Sequence, residues 1–487
     1  MIVRVLFALP CFLILPVVVA TPSQDSRAGW PDIGVAGYGA GRSEPPRRNP
    51  DIDVRSFGAK GDGRTDDTES VRKAIAAGAG KVIRIPTGRY LVTGFLDLKA
   101  GGTVLQGDGP DKSILVFPKG LEEIEPHPVK NDGGTPTSNW SWSGGFVRLR
   151  GSGLEGQRLG GAIGGEWGGR SIRLDKPSGL KAGDMIVLTW KDKGDGAFVK
   201  WLYAGDTSDA SGLVGHSSVR QVVRVTAVQG TTVEVDRRLR CPAESAFEVR
   251  VSLYQPKVVN CGIEALGFEF PRAAYAGHFK EIGSNAIALE GVAHCWVREV
   301  RIHNADSGIF AGGGAFNTIR DVVLTADRPE GAGCCGHHGI QVTEADSWLT
   351  GFDFRTKFIH DITLSGGSAG VVVSKGKGVD LALDFHCWAP IANVLTDLDC
   401  GLGKRVWSSG GGSMRGRHAG RGNIWWNLRA ARDPGLPPKD FACEGQVFAG
   451  VTGKTGNARA GWTVLPSKDL PASDLHEWMR KHPEWRP

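Results

Sequence analysis

The 487-residue sequence has only 4 Met and one long apolar segment, Met1–Ala20. This composition argues against a helical bundle and against a transmembrane protein. The sequence also lacks a dense Lys/Arg run of the kind that indicates nucleic-acid binding, and it lacks the CxxC spacing of a zinc site. These absences leave a chain without membrane-spanning or nucleic-acid-binding signals.

Glycine is abundant, with 71 residues, and 26 prolines accompany it. This composition is typical of a turn-rich β protein. The length suits two or three ordinary domains, or one long solenoid, whose length is not limited by the size of a single globular core.

The N-terminus predicts export. Met1–Ala20 has Arg4, an apolar core from Val5 to Val19 and a small residue at Ala20, which is the pattern of a secretory signal peptide. Its removal takes away Arg4 alone and lowers the formal charge from +6 to +5. We therefore expect a secreted or periplasmic protein with no membrane span after signal removal, whose positive charge favours acidic polymers.

Eight cysteines remain after that cleavage. An even number in an oxidising compartment permits disulfides, whereas burial as free thiols inside repeated coils is an equal alternative. They are Cys241, Cys261, Cys295, Cys334, Cys335, Cys387, Cys400 and Cys443.

Short β-type runs recur between Gly336 and Gly403, separated by Gly, Ser, Asp or Asn. His338 and His360 lie 22 positions apart, Asp361 and Asp384 lie 23 apart, and His360 and His386 lie 26 apart. In a parallel β-helix such spacings place residues on one face of neighbouring coils, about 4.8 Å apart. The stretch predicts a polar ladder on a β-solenoid.

Ordered structure is predicted to begin at Asp51, with a strand, a GAKGDG turn and a helix at about Asp67–Ala77. The run FGAKGDGRTDDT, followed by IRIPTGRYLV and LQGDG, resembles the opening of the pectate-lyase/polygalacturonase-like superfamily, which is related to glycoside hydrolase family 28. The resemblance implies an all-β fold, a right-handed parallel β-helix whose first coils are covered by a capping helix. It also implies a polysaccharide substrate, while lyases, hydrolases and epimerases all occur in the superfamily.

Changes in the sequence pattern along the chain predict how it divides into parts. Two hairpin-like segments between about Ile172 and Val251 indicate a small inserted β domain. The predicted parts are a signal peptide (1–20), an extended leader (21–50), N-terminal coils with the capping helix (51–164), the inserted β subdomain (165–250), the main coils (251–450) and a C-terminal cap (451–487).

The polar ladder supplies the candidate site. A lyase acting on a uronic-acid glycan needs a base and a group that neutralises the carboxylate. We expect the base among His338, His360 and His386, with Asp361 or Asp384 orienting a histidine or holding a metal. Arg405 is the expected neutraliser, and Ca²⁺ on Asp oxygens is an alternative cofactor. Candidate substrate-binding residues are His337, Glu344, Asp346, Trp388, Trp407, Arg417, His418 and Trp425.

Two other functions stay open. A glycoside hydrolase would use Asp361 and Asp384 as paired carboxylates. A non-catalytic glycan-binding surface protein would use the tryptophans for stacking against sugars. The polygalacturonase pattern is incomplete, because NAD stands at Asn304–Asp306, GHHG stands at Gly336–Gly339, and the aspartate pair and RIK segment are missing. An anionic polysaccharide cleaved by β-elimination is therefore the leading prediction.

Overall fold

The structure is a computed structural model that describes residues 30–131, 133–206, 208–216, 218–451 and 458–482. The predicted signal peptide at 1–20 lies outside the described residues. Two long parallel sheets dominate the chain, and each pairs strands from successive coils. The predicted all-β parallel β-helix is confirmed.

The larger sheet has 17 strands. They are Ile52–Asp53, Asp62–Asp66, Val82–Ile85, Gly88–Leu91, Val104–Gly107, Ser113–Val116, Gly262–Glu269, Trp296–His303, Thr318–Thr325, Trp348–Thr350, Asp353–Phe354, Val372–Ser374, Lys377–Gly378, Val394–Asp399, Ile424–Arg429, Val447–Ala449 and Thr463–Leu465.

The smaller parallel sheet has seven strands and carries the histidine ladder. They are Leu96–Leu98, Val147–Arg150, Asn285–Glu290, Ser307–Ala315, His338–Ala345, His360–Leu364 and Leu383–Phe385. His338 is the register partner of His360 on the next coil, as the 22-residue spacing predicts.

The inserted domain is a closed antiparallel barrel of six strands. They are Glu155–Gly164, Ser171–Leu174, Met185–Lys191, Ser218–Gln229, Thr232–Val235 and Glu248–Tyr254. The barrel therefore begins before residue 165 and ends after residue 250, because its first and last strands pair with each other to close it. A separate two-stranded hairpin joins Pro128–Lys130 to Pro136–Ser138.

Helices are few and short. The α-helices are Thr68–Ala77, Leu121–Ile124, Ala197–Leu202 and Leu475–Lys481, and the 3₁₀ helices are Tyr38–Gly41, Val54–Phe57, Asn139–Ser141, Ser211–Leu213 and Ser467–Asp469. The helix Thr68–Ala77 buries Val71 and Ile75 in the core of the first coils, as expected of a capping helix. No helix among the described residues is long and apolar enough to cross a membrane.

The interior of the coils is a continuous stack of aliphatic and aromatic side chains that runs from Val54 to Trp462. Segments near both ends of the described chain pack on the outside of this stack. Ile33, in the segment predicted as an extended leader, is buried in the same cluster as Trp426 and Met479 of the C-terminal helix. The eight cysteines named above are buried free thiols, which agrees with the second alternative and not with disulfides.

Two acidic residues of the candidate site serve the fold instead of the ladder face. Asp346 is fully buried and binds Arg237 at 2.8 Å and Arg240 at 2.5 Å, both from the inserted barrel. Burial raises the pKa of the Asp346 carboxyl, but the two guanidinium groups outweigh burial and hold it below its ordinary value. Asp346 therefore joins the barrel to the coils.

Glu344 is also buried and accepts hydrogen bonds from Asn317 Nδ2 at 2.8 Å and Ser347 Oγ at 2.6 Å. Burial raises the pKa of the Glu344 carboxyl to about 7, against these hydrogen bonds and the charge of Arg220. Both side chains lie away from the ladder face, so neither is placed to contact a substrate there.

Replacing Asp346 by Asn is expected to lower the free energy of unfolding by about 3–5 kcal/mol, because two buried guanidinium groups lose their counter-charge. Asp397→Asn is the control, since its partner Arg429 is 51% exposed and such pairs contribute about 1 kcal/mol or less. Denaturant unfolding followed by tryptophan fluorescence measures both. Equal, small losses in the two variants would contradict the structural role of Asp346.

Glu344 predicts a pH dependence of stability. Its pKa is higher in the folded chain than in the unfolded one, so its contribution is present at low pH and is lost as the pH rises through about 7. Relative to the Glu344→Gln variant, the free energy of unfolding of the wild-type chain should fall between about pH 5 and about pH 8, by up to about 1.4 kcal/mol per pH unit. A difference that stays constant over this range would show that the carboxyl titrates normally.

Candidate active site

A cleft of about 550 Å³ opens over the smaller parallel sheet. Its floor comes from the strands His338–Ala345 and His360–Leu364 and from the turn after Leu383–Phe385. Its walls come from four segments that are distant in sequence. The wall residues are Lys130, Asn131, Gly133, Trp142, His278, Phe279, Trp388, Gly410, Gly411, Gly412 and Arg415.

Five imidazoles meet in this cleft. His338 and His360 stack with ring centroids 5.0 Å apart, and His386 lies 4.9 Å from His360. His337 lies 4.1 Å from His338, and His278 joins from a loop at 4.5 Å from His337. The parallel register produces the first pair, and loop geometry adds the other three rings.

Asp384 lies beneath these rings, fully buried. Its Oδ2 is 2.8 Å from His386 Nδ1 in a hydrogen bond and 3.2 Å from His360 Nδ1, the latter at ion-pair distance but outside hydrogen-bond geometry. Thr363 Oγ1 donates to the same oxygen at 3.1 Å, and the Gly410 amide donates to Oδ1 at 2.8 Å. Asp384 thus anchors two imidazoles and one loop.

Position 410 can hold only a glycine, because a side chain there would collide with the imidazole rings. A Cβ there would lie 2.4 Å from His386 Cε1 and 2.8 Å from His360 Cε1, closer than real Cβ contacts allow. The glycine therefore lets the loop approach the two rings closely enough to bind Asp384.

The environment keeps the buried imidazoles neutral. Burial, and then neighbouring imidazoles, lower the pKa of His337 and of His338 well below the ordinary value. Burial lowers the pKa of His360 to about 4, although Asp384 opposes this change. Burial raises the pKa of Asp384, but His360 and His386 outweigh burial and lower it overall. The cleft therefore offers neutral nitrogens above a carboxylate.

Aromatic and cationic side chains border the imidazoles. Trp142 and Trp388 line the cleft, and the Arg415 guanidinium lies 4.9 Å from the centre of the Trp388 ring. Lys130, on the exposed hairpin, adds a second cation at the rim. Such a surface can stack sugar rings and attract an anionic polymer.

Asp361 and Arg405 are not cleft residues. Asp361 is buried and accepts hydrogen bonds from the amides of Phe358 at 2.7 Å and Ala382 at 2.8 Å. Arg405 lies 3.3 Å from Asp361 and donates to the carbonyl of Ile359 at 2.9 Å and to that of Phe358. Since both side chains tie coils together and neither lines the cleft, the sequence-based catalytic roles for them do not fit this geometry.

Several predicted substrate-binding residues also lie elsewhere. Glu344 and Asp346 have the structural partners described above. Trp425 is fully buried and Trp407 packs against it in the coil interior. Arg417 pairs with Asp206 at 2.7 Å, and His418 Nδ1 contacts Cys387 Sγ at 3.5 Å. Of the predicted set, the cleft brings together His337, His338, His360, His386 and Trp388 above Asp384.

Sequence reasoning missed His278, Phe279 and the role of Arg415. His278 and Phe279 belong to a loop between coils, outside the repeating pattern of the ladder. Arg415 lies in the segment Arg415–Arg421, which also contains Arg417, and nothing in that segment distinguishes the two arginines. The positive charge of this segment is the only sequence signal for an anion contact near the cleft.

Two groups in the described part of the chain could hold a metal ion: His278 with His337 and His360, and His360 with Asp384 and His386. Imidazole nitrogen predominates in both, and Asp384 supplies the only carboxylate. Ca²⁺ takes about 6–8 oxygen ligands, so these donors fit a transition metal better than the predicted Ca²⁺.

Comparison with known proteins agrees with this architecture. A family model described as "Rhamnogalacturonase A/epimerase, pectate lyase-like" matches residues 52–141. The tailspike protein gp49 from Pseudomonas phage LKA1 has a similar fold, with a TM-score of 0.50 and 14% identity over 82% of this chain and 70% of that one.

Two curated relatives match short stretches. The Pre-neck appendage protein of Bacillus phage B103 is 38% identical over 66 residues, which are 14% of this chain. Alginate lyase 7 of Azotobacter vinelandii is 28% identical over 102 residues, which are 19% of this chain. The chain spans 7% and 12% of the lengths of these two relatives. The N-terminal segment is thus similar to pectate lyase-like proteins, and the stacked parallel coils show that the chain has the parallel β-helix fold.

Proposed function

We propose that this protein is an exported polysaccharide lyase that cleaves a uronic-acid-containing glycan by β-elimination in the histidine cleft. The observation that carries the proposal is the lining of the cleft. Its described lining residues supply imidazoles, aromatic rings and cations, and they include no Asp or Glu. That set suits proton abstraction next to a neutralised carboxylate.

His386 is the proposed base. Its Nδ1 faces Asp384 at 2.8 Å, and its side chain is 24% exposed in the cleft. With Nδ1–H donating to the carboxylate, Nε2 carries the lone pair on the opposite side of the ring. Nε2 takes the C5 proton, the C–H electron pair forms the C4–C5 double bond, and the C4–O bond breaks. The leaving sugar oxygen then takes a proton from solvent.

Arg415 replaces Arg405 as the proposed carboxylate neutraliser. Arg405 does not line the cleft, whereas Arg415 does, with its guanidinium 4.9 Å from the centre of the Trp388 ring. A guanidinium binds a carboxylate with two parallel hydrogen bonds, which would make the C5 proton more acidic. Trp142 and Trp388 are the proposed stacking surfaces for neighbouring sugar rings.

The relatives give limited support for this substrate class. A relative named as an alginate lyase shares a short stretch, and the matched family model includes pectate lyase-like proteins in its description. The first name denotes an enzyme that acts on alginate, an acidic polysaccharide. The second describes proteins that resemble pectate lyases. The proposal for this chain depends on its own cleft.

The geometry favours the lyase over the hydrolase. The two-carboxylate mechanism needs both acids beside the glycosidic bond. Asp361 instead accepts backbone hydrogen bonds and pairs with Arg405, and Asp384 is covered by His360 and His386. Glycan binding without catalysis would use the same aromatic walls, and activity measurements separate it from the lyase.

The central test uses purified mature protein and a panel of anionic and neutral polysaccharides, with ultraviolet absorbance of the new double bond followed beside reducing ends. We expect both signals to rise together on a uronic-acid polymer. His386→Ala should lower kcat/KM by about 10²–10⁴-fold, because the base is lost.

His303→Ala is the matched control, since His303 lies on the other sheet and contacts Thr325. It should retain wild-type activity. Reducing ends without absorbance would replace the lyase by a hydrolase, and no turnover on the panel would favour glycan binding.

Arg415→Gln should lower kcat/KM on an anionic polymer by about 10²-fold, because one charge that stabilises the enolate-like transition state is removed. Arg429→Gln is the control, as Arg429 is half-exposed on the larger sheet and pairs with Asp397. Steady-state kinetics of both variants provide the measurement. Equal activity of the two variants would show that another cation neutralises the carboxylate.

A further inference from the structure

The cleft contains a second arrangement, formed by His278, His337 and His360. One ring nitrogen from each lies within 4.8 Å of the other two. The ring centroids are 4.5 Å apart for His278 and His337, 5.5 Å for His337 and His360, and 6.1 Å for His278 and His360. The three rings thus form a triangle at one end of the cleft.

One of the buried rings has a nitrogen that no described residue contacts through a hydrogen bond or an ion pair. His360 is 5% exposed, and its Nε2 has no hydrogen-bond partner among the described residues. His337 is 2% exposed, and its Nδ1 makes no hydrogen bond there but lies 3.3 Å from the Glu281 carboxylate. Leaving a buried polar atom such as His360 Nε2 unsatisfied costs free energy. A ligand that uses such a nitrogen would remove that cost.

Each of the two rings also has a carboxylate behind it. Glu281 Oε1 lies 3.3 Å from His337 Nδ1, and Asp384 Oδ2 lies 3.2 Å from His360 Nδ1. Glu281 is itself held by the Tyr275 hydroxyl at 2.6 Å. A carboxylate on one imidazole nitrogen is the usual support for a histidine whose other nitrogen binds a metal.

We propose that His278, His337 and His360 bind one divalent transition-metal ion of the Zn²⁺ class, with a coordination position open to the cleft. Three imidazoles and one open position are the donor set of a catalytic zinc site. Zn–N bonds of about 2.1 Å in tetrahedral geometry place the nitrogens about 3.4 Å apart. Since His278 is exposed on a loop, it can make this small closure.

The other histidine group is a weaker candidate for the same ion. Its carboxylate, Asp384, already accepts hydrogen bonds from His386, Thr363 and the Gly410 amide. A metal there would break the contacts that orient His386. The His278 group takes no ligand atom from Asp384 or His386, so the metal and the proposed base can occupy one cleft together.

The role of the ion rests on the proposed function. Its open position faces the cavity that also contains His386 and Arg415. There it would bind the uronate carboxylate as a Lewis acid, and so increase the acidity of the C5 proton. Metal binding itself does not depend on this role.

The test titrates Zn²⁺ into the purified, tag-free chain after removal of bound metal by a chelator, with calorimetry and elemental analysis as readouts. We expect one equivalent of Zn²⁺. Co²⁺ should show the absorption of a site with nitrogen ligands. His278→Ala should lose this equivalent, and it should fold because His278 is exposed.

Two further variants locate the ion. Glu281→Gln should weaken Zn²⁺ binding by about 10–100-fold through loss of the carboxylate behind His337. His386→Ala should retain one equivalent. Loss of binding in His386→Ala with retention in His278→Ala would move the site to the Asp384 group and overturn the proposal, as would the absence of stoichiometric binding in the wild type.

Activity separates this inference from the proposed function. One bound equivalent without double-bond formation on any polymer would leave the metal site standing and remove the lyase. Lyase activity in a chain that binds no Zn²⁺, unchanged by chelation, would retain the lyase and remove the metal site.

Discussion

Parallel pairing between successive coils is the constraint on which the cleft depends. Each coil places its strands one inter-strand distance, about 4.8 Å, from the next, so a side chain on one coil meets its register partner on another. His338 and His360 are such partners. The aliphatic stack inside the coils fixes that register, because a slip by one residue would exchange the buried and outward faces. The imidazole stack is thus a consequence of core packing.

Buried carboxylates show how the same chain separates structural from chemical roles. Asp346 binds two arginines, and Asp361 accepts hydrogen bonds from two backbone amides and lies beside Arg405. These partners do not line the cleft. Asp384 instead contacts two imidazoles that face the cleft. The difference in partners, more than burial itself, decides which aspartate can influence chemistry.

The inserted barrel contributes to the cleft as well as to the stability of the coils. Tyr203, buried after the short helix Ala197–Leu202, has its hydroxyl 2.9 Å from the carbonyl of Arg415. The same hydroxyl accepts from the Ala389 amide at 2.9 Å, next to Trp388. The amide of Gly212 also donates to Met414 at 2.8 Å. The barrel therefore holds both the arginine and the tryptophan wall, so the insertion and the cleft form one structural unit.

The sequence by itself determined the solenoid, the helix at Thr68–Ala77, the existence of the inserted β domain and the pairing of His338 with His360. These features follow from local patterns, namely turn residues, apolar alternation and a repeat near one coil length. Tertiary structure alone decided that Asp384 and not Asp361 lies under the imidazoles, since Asp384 is the register partner of Thr363 and not of Asp361. It also decided that His278 and Arg415 join the cleft, because loop sequences do not follow the coil-length repeat. Their positions depend on long-range contacts, such as that of Tyr203 with Arg415, which a single sequence does not display.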